Sequence, residues 1–144
     1  MIDRPIQKIV SPFGKRIRNG SNESHLGIDL RCYNMLNWKK QTVIFPCDCE
    51  VLRIGFQPEW GWNVVARPIY SGEITELKFI HLCDPRQNIK ENQSYNFRSQ
   101  IGWTGVTEYM TKNKCGEHLH FETLKGINAI DPIKFYEEIG VQYE

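Results

Sequence analysis

Glu117-His118-Leu119-His120-Phe121-Glu122-Thr123 decides how this chain is read. Side chains on a β-strand alternate between its two faces, so residues two apart point the same way. Written as a strand, the stretch places Glu117, Leu119, Phe121 and Thr123 on one face. Leu119 and Phe121 make that face a core face. His118, His120 and Glu122 share the other, which presents two imidazoles side by side. That is how a strand offers two nitrogens to one site. Taken alone, the pair equally describes two histidines at a surface or at the edge of a core.

The stretch sits in a chain of 144 residues, the size of one domain over residues 1–144. Glycines and prolines interrupt it throughout, and the segments between them are short, which favours strands over helices. Gln41-Thr42-Val43-Ile44-Phe45 reads as a strand stopped by Pro46. Residues 50–56, 62–67, 73–82 and 100–105 read as further strands, with a polar stretch over 84–99. A single helix is expected near the end, where Asp131 caps, Pro132 fits the first turn and Gly140 stops Ile133-Lys134-Phe135-Tyr136-Glu137-Glu138-Ile139. The expected fold class is mostly β: a small antiparallel β-sheet domain with long loops and one short C-terminal helix.

Charge narrows the function. Lysine and arginine number 18 against 17 acidic residues, a net charge of +1, so no global basic field draws the chain to nucleic acid. No apolar run approaches the ~20 residues of a transmembrane helix. The five cysteines are Cys32, Cys47, Cys49, Cys83 and Cys115. Their number is odd, and Cys47-Asp48-Cys49 is not C-x2-C spacing, so buried inert thiols from a reducing compartment are expected.

The other two histidines are His25 and His81. In His25-Leu26-Gly27-Ile28-Asp29 an imidazole and a carboxylate four residues apart meet one ion if the backbone turns, and Gly27 permits the turn; taken alone, a loop histidine and a turn aspartate are the ordinary reading. Two histidines and one carboxylate make a three-ligand zinc site with one position open for water, the catalytic rather than the structural arrangement. His81, in Phe79-Ile80-His81-Leu82, ends an apolar run, where a packed core histidine is the ordinary reading.

Together these segments resemble the motifs of the lysostaphin/LytM-type zinc endopeptidases. His25-Leu26-Gly27-Ile28-Asp29 resembles H-x-G-[IV]-D, and Phe79-Ile80-His81-Leu82 resembles Y-A-H-L. Gly102-Trp103-Thr104-Gly105 is similar to G-x-T-G, and Gly116-Glu117-His118-Leu119-His120-Phe121-Glu122 to G-x-H-L-H-F-E. Ser11-Pro12-Phe13-Gly14-Lys15-Arg16 and Asp131-Pro132 extend the resemblance outward, in the family's order. The resemblance implies that His25, Asp29 and His120 hold one Zn2+ ion with a water. It makes His118 a catalytic histidine beside the metal and His81 its partner. It also implies a lysostaphin/LytM-type, duplicated-hybrid-like fold with a long groove whose floor carries the ion.

The implied activity is hydrolysis of a peptide bond in the stem or cross-bridge of bacterial peptidoglycan at the cell wall; the sequence does not set the oligomeric state, and a monomer is the expectation. Zinc would polarise the scissile carbonyl, and one of His81 and His118 would take the proton of the attacking water. No H-E-x-x-H glutamate is present to do so. Trp60, Trp62, Tyr70, Trp103 and Tyr109 are candidate groove liners, with core packing as the alternative. Three departures from the family bear on substrate choice: the long charged segment 106–115, Glu117 in place of proline, and Arg67-Pro68-Ile69-Tyr70 in place of a glycine-rich hairpin. The first residues lack a secretory signal, so release by lysis or carriage on a phage particle is expected. A non-catalytic peptidoglycan-binding or phage structural module on the same fold is the alternative.

Overall fold

The computed structural model describes residues 7–18, 20–32, 35–37, 40–104 and 118–142. The strands, in chain order, are β1 (Gln7–Ser11), β2 (Gly14–Arg18), β3 (Ser21–His25), β4 (Ile28–Cys32), β5 (Met35–Asn37), β6 (Lys40–Ile44) and β7 (Cys49–Gln57). They continue as β8 (Gly61–Pro68), β9 (Glu76–Leu82), β10 (Ser94–Tyr95), β11 (Gln100–Trp103), β12 (Leu119–Lys125) and β13 (Asn128–Ile130), and α1 (Pro132–Ile139) follows. The main sheet runs β1-β4-β12-β9-β8-β7-β10, with β13 paired to β12. Its pairings are antiparallel. A three-stranded sheet, β11-β6-β5, and a two-stranded ribbon, β2-β3, complete the order.

One face of the main sheet is the core. Cross-strand pairing puts Leu30 opposite Leu119, and Ile28 and Phe79 on either side of Phe121. Leu77 pairs with Thr123 and Ala66, and Ala66 with Val51. All of these are buried. α1 covers this face. Phe135 and Tyr136 are buried, and the Tyr136 ring stacks on Phe121 at 5.6 Å between centroids. Burying a side chain of this size contributes about 1.5–3 kcal/mol, so this face supplies much of the fold's stability.

The helix is built as the sequence predicts. The Asp131 carboxylate accepts from the Ile133 N–H, Pro132 opens the first turn, and the Gly140 N–H donates to the Tyr136 carbonyl. The run expected over 73–82 begins later, at Glu76; the Ile74 N–H goes to the Tyr70 hydroxyl, and the Thr75 N–H donates to the Leu124 carbonyl of β12. Sequence patterning did not reveal β1, β2, β3, β5, β10 or β13. The β2-β3 ribbon shows why: Ser21-Asn22-Glu23-Ser24 carries no apolar alternation, since it buries little until His25. Gly105, Tyr109, Cys115, Glu117 and the charged segment 106–115 lie outside the described residues. Among the described residues, no helix is long and apolar enough to cross a membrane.

Candidate metal centre

Register builds the first half of the site. β4 and β12 pair so that Asp29 stands directly opposite His120. Their neighbours Ile28, Leu30, Leu119 and Phe121 face the core, so Asp29 and His120 face away from it together. His25 arrives from the end of β3, and Leu26-Gly27 carries the chain across into β4. Gly27 is needed there for close approach. A Cβ at this position would overlap the Phe121 carbonyl and lie 2.8 Å from the Glu122 Cγ.

The three donor atoms converge. His25 Nε2 lies 3.3 Å from Asp29 Oδ1 and 3.3 Å from His120 Nδ1, and His120 Nδ1 lies 3.0 Å from Asp29 Oδ1. A tetrahedral zinc with bonds of about 2.0–2.1 Å has ligand–ligand edges near 3.3 Å, so this triangle fits one small divalent cation. The remaining ring nitrogens are tied down. His25 Nδ1 donates to the Pro12 carbonyl at 2.7 Å, and His120 Nε2 donates to Glu122 Oε2 at 2.8 Å. Each bond fixes the tautomer that turns the other nitrogen's lone pair into the site. His25 is buried, and Asp29 and His120 are each 15% exposed, which leaves one open side.

Electrostatics reinforce the grouping. Burial alone would raise the Asp29 carboxyl, but hydrogen bonds from His120 and His25 and the charge of His118 hold it far below the carboxylate range. Burial likewise opposes a charge on His120, yet Asp29 and Glu122 lift it to about 9. A cation held by these three donors would take the place of the His120 proton beside Asp29 and Glu122.

Two further imidazoles stand at the rim. His118 precedes β12, with Nε2 3.6 Å from Asp29 Oδ1. His81 lies edge-on to His118, with ring centroids 5.0 Å apart, and 6.1 Å from the ring of His120. Burial, then the neighbouring His118, pushes His81 down to about 4 against the pull of the Trp60 carbonyl. All five residues singled out in the sequence are therefore gathered in one place.

His81 reaches it by an unexpected route. Alternation along β9 from Leu77 and Phe79 would send residue 81 into the core. The β8-β9 pairing shifts instead: Trp62 pairs with Leu82 but Asn63 with Ile80, so His81 is the extra residue of a bulge. Its φ is +74°, in the left-handed region, and Leu82 returns to the core in its place. Bulges re-aim a side chain in this way.

No protein-family profile matches the sequence, and no curated protein does. Solved structures do. A chain of the SpoIIIAH–SpoIIQ complex is 18% identical, with 92% of this chain and 94% of that chain covered and a TM-score of 0.69. LytU is 23% identical, with 96% and 90% covered and a TM-score of 0.68. Lysostaphin from Staphylococcus simulans is 21% identical, with 93% of this chain covering 50% of that one and a TM-score of 0.66. The chain has the lysostaphin/LytM-type fold. At these identities the likeness is one of fold, and the site rests on its own geometry. Within that fold, the β4-β12 register and the β9 bulge bring His25, Asp29, His81, His118 and His120 together.

Some residues emerge only from the structure. Glu122 shares a strand face with His120, a relation visible in the sequence, but its bond to His120 is not. The carbonyls of Pro12 and Trp60 leave no trace in side-chain patterning. Among the candidate groove liners, Tyr70 is used in packing: its ring meets Phe135 edge-on at 5.3 Å and its hydroxyl donates to Glu138. Trp62 packs against Phe56 and carries the Arg86 guanidinium 4.5 Å above its ring. Trp60 is exposed. Cys49 is buried as expected, whereas Cys47 and Cys83 are half-buried.

Proposed function

We propose that this protein is a zinc-dependent endopeptidase that hydrolyses peptide bonds in the stem or cross-bridge of bacterial cell-wall peptidoglycan. The observation that carries this is the triangle of His25, Asp29 and His120 donors, with two further imidazoles beside it. Two neutral nitrogens and one carboxylate suit zinc and leave it a net charge and an open position. Bound zinc supplies Lewis-acid polarisation of a carbonyl and a water of lowered pKa.

The chain's own residues do the rest. His25, Asp29 and His120 bind, with Pro12 and Glu122 holding the two rings in their ligating tautomers. His81 gives its Nδ1–H to the Trp60 carbonyl, so Nε2 is its proton-accepting atom. His81 and His118 divide two tasks between them: taking the proton of the attacking water and supplying one to the leaving amine. The test is digestion of purified sacculi of several cross-bridge types, read by mass spectrometry. Cleaved peptides that vanish on chelation and return with zinc are expected. Stoichiometric zinc binding with no cleaved peptide on any wall would refute the activity.

The second reading is a non-catalytic assembly module. It is supported by the likeness to a chain of the SpoIIIAH–SpoIIQ complex. That reading predicts stable association with a partner protein and no zinc-dependent cleavage, whereas retention of all five polar residues favours the enzyme.

A further inference from the structure

The β7-β8 hairpin tip lies next to the site in space but contributes no donor to it. Its loop is Pro58-Glu59-Trp60. The Trp60 N–H donates to the Gln57 carbonyl at 3.1 Å, and pairing resumes between Gln57 and Gly61. Gly61 has φ +71°, the left-handed residue that closes a three-residue hairpin loop. The Trp60 carbonyl is turned away from its own hairpin and toward β9. There it receives two donors from one residue: the His81 backbone N–H at 3.1 Å and the His81 Nδ1–H at 3.0 Å. A carbonyl oxygen has two lone pairs and accepts both.

This pairing answers two questions that the bulge raises. A histidine held at φ +74° is strained and persists only where its surroundings determine it. An imidazole without a partner also has no fixed tautomer. We propose that the hairpin tip is the positioning element of His81. The Trp60 carbonyl, aimed by the left-handed Gly61, locks the His81 backbone in its bulge and its ring as the Nδ1–H tautomer, leaving the Nε2 lone pair for the site. The Trp60 indole is not part of the device, since only its backbone is used. The inference rests on the reading that His81 moves a proton beside a bound cation, but its structural content is separable from that reading.

The experiment is 15N NMR of the His81 ring together with amide exchange of His81, in the native protein and in Gly61→Val, Gly61→Asn and Trp60→Ala. Native His81 is expected as the Nδ1–H tautomer with a protected amide. Valine resists the left-handed region, so Gly61→Val should lose both signatures while zinc affinity by calorimetry is unchanged. Its kcat should fall by about a hundredfold, the effect of a small misplacement of a reacting group, with KM unmoved. Asparagine tolerates the left-handed region, so Gly61→Asn should keep both signatures. Trp60→Ala retains the carbonyl and should keep them too. An Nε2–H tautomer in native protein overturns the proposal without any variant, as do a Gly61→Val protein that keeps both signatures and a Trp60→Ala protein that loses them. If Gly61→Val does not fold, the native spectrum decides. If the native signatures are present but no wall peptide is cut, the endopeptidase reading falls and the positioning role stands.

Discussion

The two halves of the candidate centre are built by opposite means. Asp29 and His120 are set by an unbroken antiparallel ladder, in which β4 and β12 keep step and alternation puts both side chains on one face. His81 is set by a break in the ladder, a bulged residue with a left-handed backbone. The first half has the rigidity of the sheet behind it, as donors to a small cation require. The second depends on a few local bonds. A cation site tolerates little error in distance, whereas His81 is turned out of the core only by its bulge and the bonds that hold it.

The largest expected effect comes from breaking the ladder half. His120→Ala or Asp29→Ala should reduce zinc affinity by more than about a hundredfold, beyond the loss typical of an outer-shell partner. Wall digestion should then be undetectable; titration calorimetry beside a sacculus digest checks both. His81→Ala should separate the halves. Cleavage falls by about 10²–10⁴-fold, the usual contribution of a proton-transferring side chain, while calorimetry shows native zinc affinity. A His81→Ala protein cleaving at full rate would remove that residue from the reaction. Glu122→Gln tests the outer support of the ladder half, and a drop of about 10–100-fold in zinc affinity with the fold intact is expected.

The smallest effect is in pH dependence, and its sign differs between the halves. In metal-free protein His81 sits at about 4 against an ordinary 6.5. Between those values the unfolded chain binds more protons, so stability drops as pH falls through that window. His120 is raised to about 9. Its contribution is fully present below 6.5 and is lost as pH rises through 9. For these two groups, thermal stability without metal should peak near pH 6.5. Zinc should abolish the alkaline decline, because the bound form of His120 carries no proton on Nδ1. Melting curves across pH, with and without zinc, check this.

Much of this could be read from the sequence. The alternation of His118, Leu119, His120 and Phe121 places core and site on opposite faces of a strand, and the structure has them so. Asp131, Pro132 and Gly140 bound the helix through local chemistry alone. The spacing of His25 and Asp29 around Gly27 implies a turn, and the structure adds that Phe121 leaves no room for a side chain there. His81 is reached through the family resemblance alone, because its parity along β9 says core. A bulge is a property of pairing between two strands, and nothing in Phe79-Ile80-His81-Leu82 by itself encodes it. Carbonyl partners such as Pro12 and Trp60 resisted for the same reason: every residue has a carbonyl, and only the folded chain says where each one points.

β12 has an interior side, where Phe121 lies against Tyr136, and an exterior side, where His120 meets Asp29. Whatever loosens one side is felt on the other through less than the thickness of a single backbone. A conservative trim of Phe121, such as Phe121→Leu, should therefore behave in a screen as a cation-affinity variant although it touches no donor. Conversely, loading the ion should shield the terminal helix from proteases.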